Sequence, residues 1–257
     1  MEPALFELVS LKGRRAVVTG AARGIGRAVV RRLAEAGARV IALDRDTKAL
    51  ARLAEADGVE TRVLDLADRE AIAAFWAELK GEPVHVLVNN AGVYAFRDFE
   101  RVDPAFYRWM MAVNLDAVFW MSQGFVAQAP KKSALVNVSS IEAFLPFAPG
   151  LAAYDAAKLG VVALTRALAR EYAPRVRANV VVPGGIRTEG VRDQVRRAIW
   201  GLDLKKVRIA AGFQMRLPMR RFGTPDEVAR AVLFLASDLA SYVNGAVLAV
   251  DGGFLSA

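Results

Sequence analysis

Strand-like and helix-like segments alternate along almost the whole chain, and this alternation restricts its fold more than any other feature. The predicted strands are short, apolar and seven in number: Arg14 to Thr19, Arg39 to Leu43, Thr61 to Leu64, Val84 to Val88, Ala134 to Val138, Arg177 to Val182 and Ala246 to Val250. The helical patterns between them are Gly24 to Ala36, Thr47 to Ala56, Asp68 to Leu79, Pro104 to Val126, Leu151 to Tyr172 and Pro225 to Ala236. Because right-handed crossovers place a helix between successive parallel strands, this order predicts an α/β fold with a doubly wound parallel sheet of about seven strands and helices on both faces.

The length of 257 residues suits one large α/β domain, and we predict a single domain over residues 1–257. The alternation breaks at residues 188–217, where Arg-rich helical fragments replace the next strand. Ligands of open parallel sheets bind beyond the carboxyl ends of the strands. We therefore predict that residues 188–217 form a small helical lid over a substrate.

Composition excludes several kinds of chemistry. The chain has no cysteine and one histidine, His85, which excludes disulfides, thiolate metal sites, cysteine nucleophiles and multi-histidine metal sites. No metal is predicted. The first residues lack the pattern of a signal peptide, and no apolar stretch approaches the roughly 20 residues of a membrane span. A cytoplasmic protein without a membrane partner is expected.

The net charge of +8 raises the question of a nucleic-acid partner. The basic residues are dispersed and mixed with acids, with only short clusters such as Arg196-Arg197. Dispersed charge is a general property of a surface. We therefore predict no nucleic-acid partner.

The first predicted strand runs into a glycine-rich turn that precedes a helical pattern. We assign five residues of this turn to cofactor binding: Gly20, Arg23, Gly24, Ile25 and Gly26. Glycines at such a turn let the backbone approach a pyrophosphate, whose charge is favoured at a helix N-terminus. Their spacing differs from the more familiar Gly-x-Gly-x-x-Gly of Rossmann folds, and glycines also serve positive φ angles. The surrounding strand and helix favour a dinucleotide site in a Rossmann fold.

Asp44 stands at the end of the second strand, where an acid is expected to accept hydrogen bonds from an adenosine ribose. A carboxylate there repels a 2′-phosphate, which favours NAD over NADP. Arg23 and Arg45 argue for the opposite preference, because both are placed to neutralise that phosphate. Asp44 as an ordinary helix cap is the structural alternative. We predict NAD, with NADP as the alternative.

Further candidate cofactor residues follow the third, fourth and sixth strands, all at carboxyl ends. These are Asp65, Leu66, Asn90, Ala91, Gly92, Pro183, Gly184, Ile186 and Thr188. Small and amide-bearing residues suit a cofactor wall, and a hydroxyl beside exposed amides suits a carboxamide. One of Asn89 and Asn90 is expected to lock its turn instead, and the alternative for the Pro183 segment is a plain loop.

Tyr154 and Lys158 lie four residues apart, so both side chains fall on one helix face. A fixed positive charge stabilises a phenolate, which predicts a lowered pKa and a tyrosine able to exchange protons. The strand ending at Ser139 and Ser140 is able to deliver a hydroxyl to the same place. By itself the pair also fits a solvated helix face.

Together these segments resemble the classical short-chain dehydrogenase/reductase family over essentially the whole chain. The motifs that carry the resemblance occur in order: Thr19 to Gly26, Asn89-Asn90-Ala91-Gly92, Val113-Asn114-Leu115, Tyr154 to Lys158, Pro183-Gly184, Arg221 to Ala229 and Asp251-Gly252-Gly253. The resemblance implies an NAD(P)-dependent oxidoreductase that transfers a hydride between a nicotinamide cofactor and a secondary alcohol or ketone. Sugars, polyols and hydroxy acids are the substrates considered.

The resemblance also implies roles for individual residues. Tyr154 is the general acid/base, and Lys158 lowers its pKa and binds the nicotinamide ribose. Ser140 binds the substrate oxygen, and Asn114 holds a water that connects Lys158 to solvent. A homotetramer is also implied, with the helices of residues 104–126 and 151–172 in one interface and the C-terminal segment in another.

One departure from the family pattern lies between Ser140 and Tyr154, which are fourteen residues apart, one more than in most members. The intervening loop is therefore expected to be remodelled, with Ser139 as a weaker alternative to Ser140. Glu142 is a candidate substrate residue, although an exposed loop acid is the favoured interpretation. His85 is interpreted as structural.

Two other functions remain open. An NADPH-dependent 3-oxoacyl-[acyl-carrier-protein] reductase is suggested by Arg23 and by four basic residues able to meet an acidic carrier: Lys131, Lys132, Arg170 and Arg175. A non-catalytic dinucleotide-binding regulator is the alternative from another class, and the complete set of acid/base residues argues against it.

Overall fold

A computed structural model describes residues 3–54, 58–190, 212–213 and 215–257 of the chain. These residues form one seven-stranded parallel sheet in the order β3-β2-β1-β4-β5-β6-β7, which confirms the predicted doubly wound fold. The strands are β1 (Arg15–Thr19), β2 (Arg39–Asp44), β3 (Val59–Val63), β4 (Val86–Asn89), β5 (Ser133–Val138), β6 (Val176–Pro183) and β7 (Val247–Val250). The strand order reverses between β1 and β4, and ligands of such sheets bind beyond the carboxyl ends at that point.

Helices surround the sheet. They are α1 (Leu5–Val9), α2 (Gly24–Glu35), α3 (Thr47–Ala51), α4 (Arg69–Glu78), α5 (Pro104–Met111), α6 (Ala117–Gln128), α7 (Ala152–Glu171) and α8 (Pro225–Ala236). Within the described ranges, no helix combines the length and the apolar character needed to cross a membrane.

Side-chain caps explain where several of these helices begin. Asp46, Asp68 and Asp103 accept backbone hydrogen bonds at the starts of α3, α4 and α5. At the start of α8, Thr224 and Glu227 form a reciprocal capping box. Such caps satisfy amides that have no partner within the helix, so local sequence fixes these boundaries.

The structure differs from the predicted elements at several places. The predicted helix over 104–126 is interrupted by a π-helical turn, Ala112–Asp116, between α5 and α6. The third strand begins at Val59, two residues earlier than predicted, and α1 was not predicted. The helix predicted over 47–56 ends at Ala51, and the fourth strand begins at Val86, two residues later than predicted. Most of the predicted lid lies outside the described residues.

The core lies on both faces of the sheet, as expected for parallel strands that are apolar throughout. One cluster packs β1 and β2 against α2 and α8, and a second packs the other face against α4 and α6. A buried polar chain crosses the sheet beneath the carboxyl edge. Asn89 Nδ2 donates to Asn137 Oδ1 (2.9 Å) and Ser122 Oγ (3.1 Å), and Asn137 Nδ2 donates to Thr165 Oγ1 (2.8 Å).

Candidate active site

Tyr154 and Lys158 lie on the first turns of α7, and both are buried, with exposures of 9% and 3%. The solvated-face alternative is therefore wrong. Lys158 Nζ lies 5.8 Å from the centre of the Tyr154 ring. Ser140, two residues beyond β5, approaches Tyr154 closely enough for side-chain hydrogen bonding to lower the tyrosine pKa. The structure thus brings together the hydroxyl, the phenol and the ammonium that the sequence predicted.

Two hydrogen bonds attach the start of α7 to the end of β5. Lys158 Nζ donates to Val138 O (3.0 Å), and Ser139 Oγ donates to Lys158 O (2.8 Å). Ser139 is thereby directed at the helix backbone, whereas Ser140 contacts Tyr154. This geometry favours Ser140 over Ser139 as the substrate-binding serine.

The pKa values of the pair differ from the expectation. Burial raises the pKa of Tyr154 to about 12. Hydrogen bonding with Ser140 opposes this rise, and the charges of Glu142 and Asp155 add to it. Burial also lowers the pKa of Lys158 to about 8. The expected lowering of the Tyr154 pKa by Lys158 is not found, because the ammonium is itself desolvated and bonded to Val138 O.

Glu142 is buried, with 5% exposure, so the interpretation as an exposed loop acid is wrong. Its Oε2 accepts from Phe147 N (2.8 Å), and its own N–H donates to Ser140 Oγ (3.2 Å). The carboxylate thus holds together the remodelled loop between Ser140 and Tyr154. Burial raises the pKa of Glu142, opposed by the hydrogen bonds from Phe147 and Ala148.

Two neighbours of Tyr154 were missed by the sequence analysis. The ring of Tyr94 packs edge-to-face against Tyr154 with centroids 5.1 Å apart. Asp155 Oδ1 is buried and has no hydrogen-bond partner among the described residues. Burial and the charge of Glu142 raise the pKa of Asp155 to about 7. Neither residue carries a sequence signal, because Tyr94 comes from a distant segment and the pKa of Asp155 depends on its burial and on Glu142.

Asn114 lies in the π-helical turn and is completely buried. Its Oδ1 accepts from Val93 N (3.1 Å), and its Nδ2 donates to Val93 O (3.1 Å) and Met110 O (3.0 Å). A Cβ at Gly92 would lie 3.0 Å from Asn114 Oδ1 and 3.3 Å from Lys158 Nζ. A glycine at position 92 therefore lets Asn114 approach Lys158.

The glycine turn between β1 and α2 is closely packed. Gly20 and Gly24 have positive φ angles of 62° and 52°, which favour glycine. A Cβ at Gly26 would lie 2.0 Å from Gly20 O and 2.5 Å from Asn90 Nδ2. The turn thus has no space for side chains at these positions. Ile25, also predicted here, is partly buried against the core.

The predicted ribose acid, Asp44, lies against the glycine turn. Its Oδ2 accepts from Ala22 N (3.0 Å) and its Oδ1 from Asp46 N (3.0 Å). Arg23 forms an ion pair with Asp46, and Arg45 is exposed. The three charged residues predicted to decide the cofactor are therefore brought together, with Asp46 added to them.

Asn90 locks the turn, as expected for one of the two asparagines. Its Nδ2 donates to Thr19 O and Gly20 O, both at 3.0 Å, and its N–H donates to Thr19 Oγ1 (3.0 Å). Ala91 N also donates to Thr19 Oγ1 (3.1 Å). Asp65 and Leu66 follow β3, where Asp65 is exposed and Leu66 is 9% exposed.

The segment after β6 returns to the glycine turn. Pro183 ends β6, Gly184 passes against Asp251, and Ile186 is buried. A Cβ at Gly24 would lie 3.2 Å from Thr188 Cγ2, so the two segments are adjacent. The predicted residues from β1 and from β6 therefore line one continuous surface.

Glu189, which the sequence analysis also missed, places its carboxylate at the start of α2. Its Oε2 accepts from Gly24 N (3.1 Å), and its Oε1 pairs with Arg27. An oxyanion at this position fits the rule that helix N-termini bind anions. The amides of the turn are thus suited to a phosphate.

His85 lies at the other end of β4. Its Nδ1 accepts from Arg15 N (3.1 Å), and burial lowers its pKa, as do Arg14 and Arg15. The ring therefore has the structural role that the sequence predicted.

Comparison with known proteins agrees with this geometry. Residues 20–255 match the family described as enoyl-(acyl carrier protein) reductase. The chain is 42% identical over 255 residues to galactitol 2-dehydrogenase (L-tagatose-forming) of Cereibacter sphaeroides, covering 95% of this chain and 96% of that protein. It is 34% identical over 259 residues to a 3-oxoacyl-[acyl-carrier-protein] reductase of Aquifex aeolicus, covering 95% and 98%.

A solved structure shares the whole fold. The gluconate 5-dehydrogenase of Burkholderia cenocepacia J2315, in complex with NADP and tartrate, superposes with a TM-score of 0.87 at 32% identity, covering 99% of this chain and 100% of that one. The chain belongs to the short-chain dehydrogenase/reductase family. This short-chain dehydrogenase/reductase is an NAD(P)-dependent oxidoreductase that transfers a hydride between the nicotinamide and a secondary alcohol or ketone.

Proposed function

We propose that Tyr154, Ser140, Lys158 and Asn114 catalyse this reaction on a small polyhydroxylated substrate such as a sugar, polyol or hydroxy acid. The observation that carries the proposal is the burial of Tyr154 and Lys158 together, with the ammonium 5.8 Å from the phenol ring and bonded to the end of the strand that leads to Ser140. Relatives named for galactitol and gluconate support this substrate class.

In the oxidation direction, the Tyr154 oxygen accepts the proton of the substrate hydroxyl, which Ser140 holds by a hydrogen bond. A nicotinamide bound beside these residues would supply the acceptor for the hydride that leaves the substrate carbon. Lys158 would bind the nicotinamide ribose, since its ammonium is not found to lower the pKa of Tyr154. Asn114 Oδ1 keeps a second lone pair for a water that relays the proton from Lys158 toward solvent.

The dinucleotide would be held by the turn of Gly20, Gly24 and Gly26, by Asp44, and by the segment ending at Thr188. We propose NAD as the preferred form, because the Asp44 carboxylate lies beside the turn where the adenosine ribose is expected. The NADP in the complex of the Burkholderia relative supports the opposite preference. The ratio of kcat/KM for the two dinucleotides decides between them.

An acyl-carrier-protein reductase is the second candidate, favoured by the Aquifex relative. The basic residues chosen for the carrier weaken it. Lys131 and Lys132 precede the amino end of β5, about 20 Å from the carboxyl edge for a six-residue strand. Arg175 donates to Ala129 O (3.1 Å) and Val126 O (2.7 Å), and so caps α6. Inactivity on acyl thioesters with either dinucleotide would exclude this candidate.

We propose a homotetramer as the assembly. Apolar residues are exposed on α5, α6 and α7, among them Trp109 (36%), Phe119 (43%) and Leu159 (50%). The edge strand β7 and the fully exposed Tyr242 offer a second surface. Such patches are typical of interfaces. A monomeric mass in light scattering would contradict the assembly.

We also propose that residues 188–217 act as the substrate lid, because Thr188 and Glu189 adjoin the glycine turn. The cytoplasmic location expected from the sequence stays a prediction.

The proposed mechanism is tested by Tyr154→Phe. We expect kcat to fall about 10²–10⁴-fold, the usual contribution of a general acid/base. The control is Tyr94→Phe, which removes the hydroxyl of the neighbouring ring and should change kcat less than tenfold. Turnover is followed by cofactor absorbance with a panel of alcohols, sugars and 3-hydroxy acids. Undiminished turnover in Tyr154→Phe would exclude the mechanism.

The panel also tests the regulator alternative. Tight dinucleotide binding without turnover of any compound, together with unchanged biological function in Lys158→Ala, would favour a non-catalytic protein.

A further inference from the structure

Asp46 connects the end of β2 to the glycine turn. Its Oδ1 accepts from Ala49 N (3.0 Å) at the start of α3, and its Oδ2 pairs with the Arg23 guanidinium. Its own N–H donates to Asp44 Oδ1 (3.0 Å). The carboxylate is therefore held between the ribose acid and the arginine of the turn.

The charge of Asp46 is retained at neutral pH. The hydrogen bond from Ala49 N lowers its pKa, burial opposes this, and the charge of Arg23 lowers it further. An arginine paired with a carboxylate has little net charge to offer an incoming phosphate. The paired carboxylate itself repels a phosphate dianion at short range.

We propose that Asp46 determines dinucleotide selectivity by pairing with Arg23 and so disfavouring the 2′-phosphate of NADP. Asp44 acts on the ribose site directly, whereas Asp46 acts through Arg23. The inference rests on the dinucleotide site proposed above, and it holds whichever dinucleotide the wild-type protein prefers.

Asp46→Asn tests the proposal. Asparagine caps a helix about as well as aspartate, so α3 keeps its start while the charge is removed. We expect the ratio of kcat/KM for NADP to kcat/KM for NAD to rise about five- to tenfold, the effect of one charge at a partly exposed site. The value for NAD should stay within about twofold, because the uncharged ribose does not depend on that charge.

Asp103→Asn is a matched control. Asp103 also caps a helix, accepting from Phe106 N (2.8 Å), and its second oxygen also pairs with an arginine, Arg97 (2.5 Å). Its substitution should leave the selectivity ratio unchanged. A general effect of losing a cap or an ion pair would appear in both variants.

Arg23→Gln tests whether Asp46 acts on selectivity through Arg23. In an Arg23→Gln background, Asp46→Asn should change the ratio less than twofold, because the two residues act as a unit. A folded Asp46→Asn variant with an unchanged ratio would overturn the proposal, and so would an equal rise in the Arg23→Gln background.

Equilibrium binding of NADH and NADPH, followed by fluorescence, gives the ratio of the two dissociation constants without turnover, and this ratio should shift toward NADPH in Asp46→Asn. Wild-type protein that binds both forms but turns over no substrate would contradict the proposed function and leave the selectivity measurable. Wild-type protein that binds neither form would overturn both proposals.

Discussion

The glycine turn and the proposed catalytic pocket, formed around Ser140, Tyr154 and Lys158, lie at the same edge of the sheet but are built differently. The turn is closed by backbone contacts around Gly20 and Gly26 and by the Asn90 amide. The pocket instead gathers buried titratable groups, among them Lys158 and Asp155. We infer that the fit of the dinucleotide to the turn depends mainly on shape, with charged residues around the turn adjusting affinity and selectivity, and that proton transfer depends on desolvated charge. Changes of volume should therefore damage the turn, and changes of pH or charge should affect the pocket.

Gly26→Ala should have the largest effect on the turn. The added methyl group would lie 2.0 Å from Gly20 O, so the backbone of the turn has to move. We expect the free energy of unfolding to fall by about 1–3 kcal/mol. Dinucleotide binding should weaken at least tenfold, about 1.4 kcal/mol. Urea denaturation and titration with NADH measure the two effects.

Gly81→Ala is the control for backbone strain. Gly81 has a positive φ of 88°, but a Cβ there meets nothing within 4 Å. Gly81→Ala should lower the free energy of unfolding by only about 1 kcal/mol and leave dinucleotide binding unchanged. Equal effects of the two substitutions would mean that close packing at Gly26 is unimportant.

Asp155→Asn should make the free energy of unfolding less dependent on pH. The pKa of Asp155 is raised to about 7, so the folded protein keeps a proton that the unfolded chain releases near pH 4. The stability that this proton contributes is complete below pH about 4 and is lost as the pH rises through about 7. Asparagine should therefore raise the free energy of unfolding by about 1 kcal/mol at pH 8, after allowance for partial exposure.

The same substitution should have almost no effect at pH 4. Urea denaturation at both pH values measures the difference, with the exposed Asp116→Asn as the control. A gain of equal size at pH 4 and pH 8 would show that the charge of Asp155 is not its cause.

Glu189→Gln should have the smallest effect of these substitutions. Glu189 lies between the glycine turn and the pocket. Burial raises its pKa, but hydrogen bonds and the charge of Arg27 lower it overall, so Glu189 is charged at neutral pH. Its carboxylate holds an amide that a phosphate is expected to use. Removing the charge should tighten NADH binding about two- to fivefold. The control Glu35→Gln, at the other end of α2, should leave NADH binding unchanged. Weaker NADH binding in Glu189→Gln would contradict this prediction.

The sequence was sufficient for the sheet because seven apolar strands separated by helices allow few other arrangements. It was insufficient for the π-helical turn, since apolar spacing continues through residues 112–116. The interruption coincides with side-chain bonds from Asn114 to Val93, 21 residues away, which no local pattern records.

The residues of the candidate site also fall into those that the sequence predicted and those that it missed. Ser140, Tyr154 and Lys158 were predicted because residue type and spacing indicate their chemistry. Asp46 and Glu189 were missed because their partners lie 23 and 165 residues away in the chain. Glu142 was predicted to be exposed because its Phe147 amide partner depends on how the loop closes.

The amide pair beneath the site has a consequence for how the chain finds its alignment during folding. Asn89 and Asn137 are direct partners in the register of β4 and β5. A slip by one residue would turn one amide to the opposite face and leave Asn89, Asn137, Ser122 and Thr165 without these partners, at about 1–3 kcal/mol for each buried group. Misaligned strands are therefore less stable than the one alignment that also places Ser140 beside Tyr154.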